Sequence, residues 1–392
     1  MTRLGKISMA AAIFFLFALC GVAQAAPAAP RLAAGGGHTC AILGNGTVQC
    51  WGDDGSGQLG DGLRIDRATP APVPGLVGAS AIATGAAHTC VALADGRVEC
   101  WGDNRYGQLG DGSLRRRLSP VEVRGIASAV SVSAADHFSC ALLRSGRVKC
   151  WGDDANGELG NGQTSLHRYS TPVLVRGLTN AVQLSSAGDH SCALVVSGKV
   201  KCWGSDPYGQ LGYDTARAVT IRGIAGATAV ASGGGAMPGN IAANNSEYSC
   251  AVVAEGRIRC WGDNRAEQLG TAIPREAELP VFVRGMRGAT DVVAGVQHAC
   301  AIFNGGSLAC WGDNRAGELG TGSVSRSSPP VAVGGISGAT GLAAGGNFGS
   351  AHTCALLSSG GIQCWGDNHY GQLGDGSTAQ RSAPVAVLLA SA

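Results

Sequence analysis

His38-Thr39-Cys40-Ala41-Ile42-Leu43-Gly44-Asn45-Gly46-Thr47-Val48-Gln49-Cys50-Trp51-Gly52 is the stretch whose reading decides the fold. It reads as a disulfide-closed β-hairpin. With Asn45 at the turn centre, Leu43 faces Thr47, Ile42 faces Val48, Ala41 faces Gln49 and Cys40 faces Cys50. A three-residue hairpin loop wants a left-handed residue at Gly46, and glycine adopts that conformation without steric cost. Directly opposed residues of a non-hydrogen-bonded antiparallel pair have Cα atoms about 4.5 Å apart, within disulfide range.

The stretch recurs seven times, with starts roughly 50 residues apart, a period of propellers or solenoids. The expected pairs are Cys40–Cys50, Cys90–Cys100, Cys140–Cys150, Cys192–Cys202, Cys250–Cys260, Cys300–Cys310 and Cys354–Cys364, each separated by nine residues. Trp-Gly follows every second cysteine, and Gly46, Gly96, Gly146, Gly198, Gly256, Gly306 and Gly360 hold the turn. Each closed loop contributes at most about 3 kcal/mol, and less where the hairpin already holds its ends together.

Two more strands fit in each repeat. One precedes the His-x-Cys, as in Ser80–Ala83 and Ala289–Val293. The other is a Pro-Val-x-Val segment after the hairpin, as in Pro120–Val123 and Pro384–Val387, with proline at the start of an edge strand. Four strands in each of seven repeats predict an all-β, seven-bladed β-propeller, with a β-solenoid as the alternative. The repeats run approximately 32–77, 78–127, 128–179, 180–226, 227–287, 288–337 and 338–392.

Residues 1–25 read as a secretory signal peptide. Arg3 and Lys6 precede an apolar run from Ala10 to Leu19, and Ala23-Gln24-Ala25 is a cleavage signal. A short leader, 26–31, precedes the propeller at 32–392. Cleavage near Ala25 implies a secreted or periplasmic protein, where disulfides persist. Lipidation at Cys20 is the alternative, and it is the weaker one because bulky Leu19 precedes that cysteine. Without residues 1–25 the chain keeps 27 basic and 27 acidic residues. That balance argues against a general nucleic-acid binder. No second apolar stretch is long enough to span a bilayer.

The run Cys90 to Gly112, with Trp101-Gly102-Asp103-Asn104-Arg105-Tyr106-Gly107-Gln108-Leu109-Gly110 at its centre, resembles the repeat of the regulator of chromosome condensation family. So does Cys354 to Gly376. The resemblance covers essentially all of the chain beyond the signal, with departures at Ser205-Asp206, Glu267, Glu158 and Glu318. It implies a seven-bladed propeller. The founding members are nuclear, exchange guanine nucleotide on the small GTPase Ran, and dock on chromatin. This chain departs from them in its export signal, its cysteine pairs and its lack of a basic tail. Exported bacterial members include one that clamps a partner protein with its loops, and the resemblance therefore implies a loop-face binder here.

In an up-and-down blade, the first-to-second and third-to-fourth connections share one face. The long third-to-fourth connections (Asp53 to Thr69, Asp103 to Ser119, Asp153 to Thr171) and the insertions at Gly233–Glu247 and Gly345–Ser350 would all lie there. Binding residues concentrate on variable loops held by a rigid scaffold. The candidate binding face is Arg64, Arg67, Arg115, Arg116, Arg117, Arg168, Tyr169, Met237 and Arg275, with His167 beside them. The expected partner is another protein, bound by a monomer that is not an enzyme. A cell-envelope or carbohydrate ligand is the second reading, and nucleotide exchange the third.

Other motifs point to no cofactor or metal. Gly55-Ser56-Gly57-Gln58-Leu59-Gly60 has the spacing of a dinucleotide fingerprint but not its strand–helix context. Asp53-Asp54-Gly55-Ser56-Gly57 lacks the acid spacing of a calcium loop and reads as a turn. His38, His88, His190, His298 and His352 stand two residues before a cysteine, while His137 is shifted and Tyr248 replaces the fifth-repeat histidine. They are expected to hydrogen-bond within their own blades rather than to ring a metal.

Overall fold

The computed structural model describes residues 31–389 apart from 210, 212–214, 236–245, 273–274 and 348. Residues 1–30, which include the expected signal and Cys20, and Met237 lie outside the described residues.

The described residues form seven four-stranded antiparallel sheets, each with its strands in chain order. Blade 1 is β1 (Leu32–Ala34), β2 (His38–Ile42), β3 (Val48–Gly52) and β4 (Arg67–Pro72). Blade 2 is β5 (Ala79–Thr84), β6 (His88–Leu93), β7 (Val98–Gly102) and β8 (Arg117–Glu122). The protein is a seven-bladed propeller with one disulfide in each blade.

The hairpin register is the one read from the sequence. Ile42 faces Val48, Ala41 faces Gln49 and Cys40 faces Cys50. Gly46 has φ of +80°. The Cys40–Cys50 Cα atoms are 4.1 Å apart, and the other six pairs repeat that geometry at 4.0–4.1 Å. The fourth strand differs from expectation. It begins about three residues earlier, at Arg117 rather than Pro120 in blade 2 and at Arg381 rather than Pro384 in blade 7. Arg117 lies opposite Gly102 and Val121 opposite Cys100, with a bulge between them. Proline is therefore inside the strand, where the outermost position and the bulge spare it from donating to the ladder.

The insertions also lengthen strands. Gly235 pairs with Ser246 in blade 5 and Asn347 with Ser350 in blade 7, so the inner hairpins of these blades rise higher than their neighbours.

The core lies between blades. All seven tryptophans are fully buried. Trp101 Nε1 donates to the Gln58 carbonyl of the preceding blade (2.8 Å), and Trp151 does the same to Gln108 (2.8 Å). The turn carrying that carbonyl needs a glycine at position 60. Its φ is +75°, and a Cβ there would lie 2.6 Å from Trp101 Nε1. The tight turn and the indole thus specify each other across the seam.

Candidate functional site

The sequential strand order puts the first-to-second and third-to-fourth connections on one face, here the loop face. The two-to-three hairpin turns and the four-to-one links form the opposite turn face.

The loop face of blades 1–3 carries cations among exposed aliphatic side chains. Arg64 Nη2 donates to the Gly55 carbonyl (2.6 Å), and Arg116 Nη1 reaches the same oxygen from the next blade (3.5 Å). Arg115 is exposed beside them. Arg168 lies over the Tyr106 ring, 5.0 Å from its centroid, and that ring packs against His137 at 4.3 Å, tilted by 44°. Leu63, Ile65 and Leu114 are exposed on the same loops, and Leu166 is 90% exposed. The sequence reading overlooked these aliphatics and Tyr106. Their signal was four apolar residues in otherwise polar connections.

Other candidates are placed differently. Arg67 and Arg117 begin fourth strands and pair with Asp61 (2.7 Å) and Asp111 (2.7 Å), as Arg381 does with Asp375 (2.9 Å). This recurring bridge six residues long braces the long loop, so both arginines have a structural task. Tyr169 is half-buried and packs on the core between blades 3 and 4. His167 meets it edge-on at 4.9 Å. Arg275 is exposed on blade 5, away from the blade 1–3 group.

The histidines correct their expectation. Each bonds to the following blade, not its own. His38 Nε2 lies 2.9 Å from Thr89 Oγ1, His88 Nε2 2.8 Å from Ser139 Oγ, and His298 Nε2 2.8 Å from Thr353 Oγ1. His190 makes the same bond to Ser249 (2.9 Å). The hydroxyls of Thr89, Ser139 and Thr353 donate onward to the carbonyls of Gln58, Gln108 and Glu318. Each such hydroxyl proton is thereby committed, so the histidine must donate from Nε2, leaving Nδ1 unprotonated. Burial lowers these pKa values to about 3 for His38 and His352 and about 4 for His88, His190 and His298. Among the described residues, no group of three or more His, Cys, Asp or Glu is placed to hold a metal ion.

Acidic residues gather where the loop sides of blades 3–5 meet. Asp189 accepts from Asn156 Nδ2 (3.5 Å), and its backbone N–H donates to Glu247 Oε1 (3.3 Å). Glu247 lies 3.5 Å from His190 Nδ1. Burial, then the neighbouring Asp189, raises the Glu158 pKa to about 8. Burial, then Asp136, raises Asp189 to about 7. Glu158 replaces a glutamine that in other blades donates to an aspartate, as Gln58 Nε2 does to Asp53 (2.7 Å).

The Trp–carbonyl latch joins the third-to-fourth loop of one blade to the hairpin of the next. The regulator of chromosome condensation (RCC1) repeat matches residues 45–92, 95–142, 145–194 and 255–302. A second form of the same repeat matches 31–58, 79–108, 129–158, 181–210, 289–318 and 343–372. The chain belongs to the regulator of chromosome condensation repeat family. Yeast RCC1 (Prp20), solved bound to Kap60, is similar to this RCC1-repeat chain in fold. The TM-score is 0.73 at 21% identity, over 98% of this chain and 90% of that one. Human E3 ubiquitin-protein ligase HERC2 is 28% identical over 53% of this chain, which spans only 3% of its length. The ultraviolet-B receptor UVR8 of Arabidopsis thaliana is 26% identical over 55% of this chain, which spans 48% of that receptor.

Proposed function

We propose that this chain is an exported, protein-binding RCC1-repeat propeller that holds its partner on the loop face of blades 1–3. The observation carrying this reading is the Arg64, Arg115, Arg116 and Arg168 group set among Leu63, Ile65, Leu114 and Leu166. Arginine beside exposed apolar surface is what an interface core uses, with guanidinium groups selecting carboxylates on the partner. Seven buried disulfides favour an oxidising compartment and agree with the signal-peptide reading. Arg168 already covers the Tyr106 ring, which leaves that aromatic poorly disposed for stacking on a sugar.

The test is affinity capture from the native secretome with the chain from Ala26 onward, compared with an Arg115→Ala/Arg116→Ala/Leu166→Ala variant. The expected result is one or more proteins retained by the parent and lost with the variant. An unchanged set of captured proteins would overturn the loop-face assignment.

A further inference from the structure

The turn face is strongly basic in one sector and nearly uncharged in another, where Arg31 ahead of β1 donates to the Leu43 carbonyl (2.6 Å). In blades 3–5, the two-to-three turns and four-to-one links span 143–149, 173–181, 195–201, 219–228, 253–259 and 281–288. They hold eleven basic residues and one acidic residue, Glu255. The matching segments of blades 6, 7 and 1 hold no charged residue at all.

Equivalent positions show that the fold does not require these cations. After the turn glycine stand Arg147, Lys199 and Arg257, where blades 6, 7 and 1 have Ser307, Gly361 and Thr47. Before the second cysteine stand Lys149, Lys201 and Arg259, against Ala309, Gln363 and Gln49. In the links Arg176, Arg222 and Arg284 answer to Gly334, Leu388 and Pro74. The same backbone forms with either set.

The cations lie in a row. Lys149 Nζ donates to the Gly125 carbonyl (3.0 Å), Lys201 Nζ to Gly177 (2.7 Å) and Arg259 Nη1 to Gly223 (3.1 Å), each reaching the link of the preceding blade. Those carbonyls leave the charges uncompensated. Among the described residues, the ion pairs within this sector are those of Glu255 with Arg287 (2.7 Å) and Arg257 (3.8 Å).

We infer that the turn face of blades 3–5 docks on the phosphate headgroups of an anionic lipid bilayer. Tight turns present the cations on a shallow surface rather than in a groove. Lysine and arginine near an anionic membrane each add attraction that falls off within a Debye length. Val196, 73% exposed at the tip of the blade 4 turn between the cationic rows, adds an aliphatic contact at the headgroup boundary. Single-stranded nucleic acid is disfavoured because binding it calls for open aromatic faces or a groove. Phe282, the aromatic of these segments, lies beneath Arg257 and Arg259, at 4.5 and 4.0 Å. Docking here would leave the loop face pointing away from the membrane. The inference does not depend on the loop-face proposal.

The experiment is vesicle co-flotation with the chain from Ala26 onward, which retains every described strand and lacks the apolar N-terminal run. Vesicles of phosphatidylcholine alone are compared with vesicles containing roughly one-third phosphatidylglycerol. The test variant is Arg147→Thr/Lys149→Gln/Lys199→Thr/Lys201→Gln, which installs residues that blade 1 already uses at these positions. The parent is expected to bind anionic vesicles at least about tenfold more tightly than neutral ones, and to lose that preference in high salt. The variant should lose at least about tenfold, while Arg115→Ala/Arg116→Ala stays within about twofold. Equal binding to both vesicle types, an unchanged variant, or tighter binding to a DNA duplex than to anionic vesicles at equal phosphate concentration would overturn the inference.

Discussion

His352 in the last blade donates from Nε2 to Thr39 Oγ1 in the first, at 2.8 Å, and Thr39 passes its own proton to the Gln372 carbonyl at 2.9 Å. Trp51 Nε1 donates to that same carbonyl (2.8 Å). The ring therefore closes with the latch used between blades 1 and 2 and between blades 2 and 3, and without a strand shared between the ends of the chain. Closure rests on side chains that arrive from over three hundred residues apart.

The closing seam should be as strong as an internal one. Thr39→Val removes the acceptor for His352 and one donor to Gln372, and is expected to cost about 2–3 kcal/mol. Thr89→Val, at the seam between blades 1 and 2, should cost a similar amount. Thr39→Ser should stay within about 1 kcal/mol, since serine fills this position in blades 3, 4 and 5. Chemical denaturation of the three variants decides the matter. A much smaller loss for Thr39→Val than for Thr89→Val would show that the ends are loosely joined.

Acid should open the protein through its buried histidines. Their folded pKa values, about 3 to 4, lie below the ordinary 6.5 because burial penalises the imidazolium. The unfolded chain therefore takes up protons first. This contribution to stability is complete above pH 6.5 and is lost as pH falls through 6.5 towards 4. Melting temperature should drop steeply across that window, and a flat profile from pH 7 to about 4.5 would contradict the assignment.

Glu158 and Glu318 should show the opposite dependence. Burial, followed by neighbouring Asp189 or Asp313, raises their pKa values to about 8 and about 7 from 4.5. The native state holds their protons more tightly, so the contribution is complete below pH 4.5 and lost as pH rises through 7 to 8. Glu158→Gln and Glu318→Gln restore the amide used in most other blades. Each is expected to stabilise by on the order of 2 kcal/mol at pH 8, with little change at pH 5. Equal effects at both pH values would mean that these carboxyls are ionised throughout.

Reduction should require unfolding. All fourteen paired cysteines are fully buried. A thiol reductant alone should leave the native mass unchanged, whereas reductant with denaturant should add two hydrogens for each of the seven pairs. Peptide mapping that finds Cys40 joined to anything other than Cys50 would refute the hairpin pairing. Cys40→Ala/Cys50→Ala should lower stability by no more than about 3 kcal/mol.

The sequence by itself determined the hairpins, the cysteine pairing and the number of blades, because the interactions involved are local. A turn glycine with a positive φ and residues ten apart on paired strands leave little freedom in register. The same reading expected the histidines to bond locally, and they do not. Their partners lie in the next blade, His38 and Thr89 being 51 residues apart. A repeating sequence cannot reveal whether a repeated side chain turns inward to its own blade or outward to its neighbour. Only packing seven wedges around an axis decided that.

Arg67 and Arg117 show the intermediate case. Their Asp partners stand six residues earlier, and the Asp61/Arg67, Asp111/Arg117 and Asp375/Arg381 spacing was visible in the sequence as a shared pattern. It reads as a brace only once the strand is seen to begin at the arginine. The charge asymmetry of the turn face was likewise written in the chain. It became a surface only when the fold brought turns and links from three blades side by side, because electrostatic attraction depends on distance in space and not on separation along the sequence.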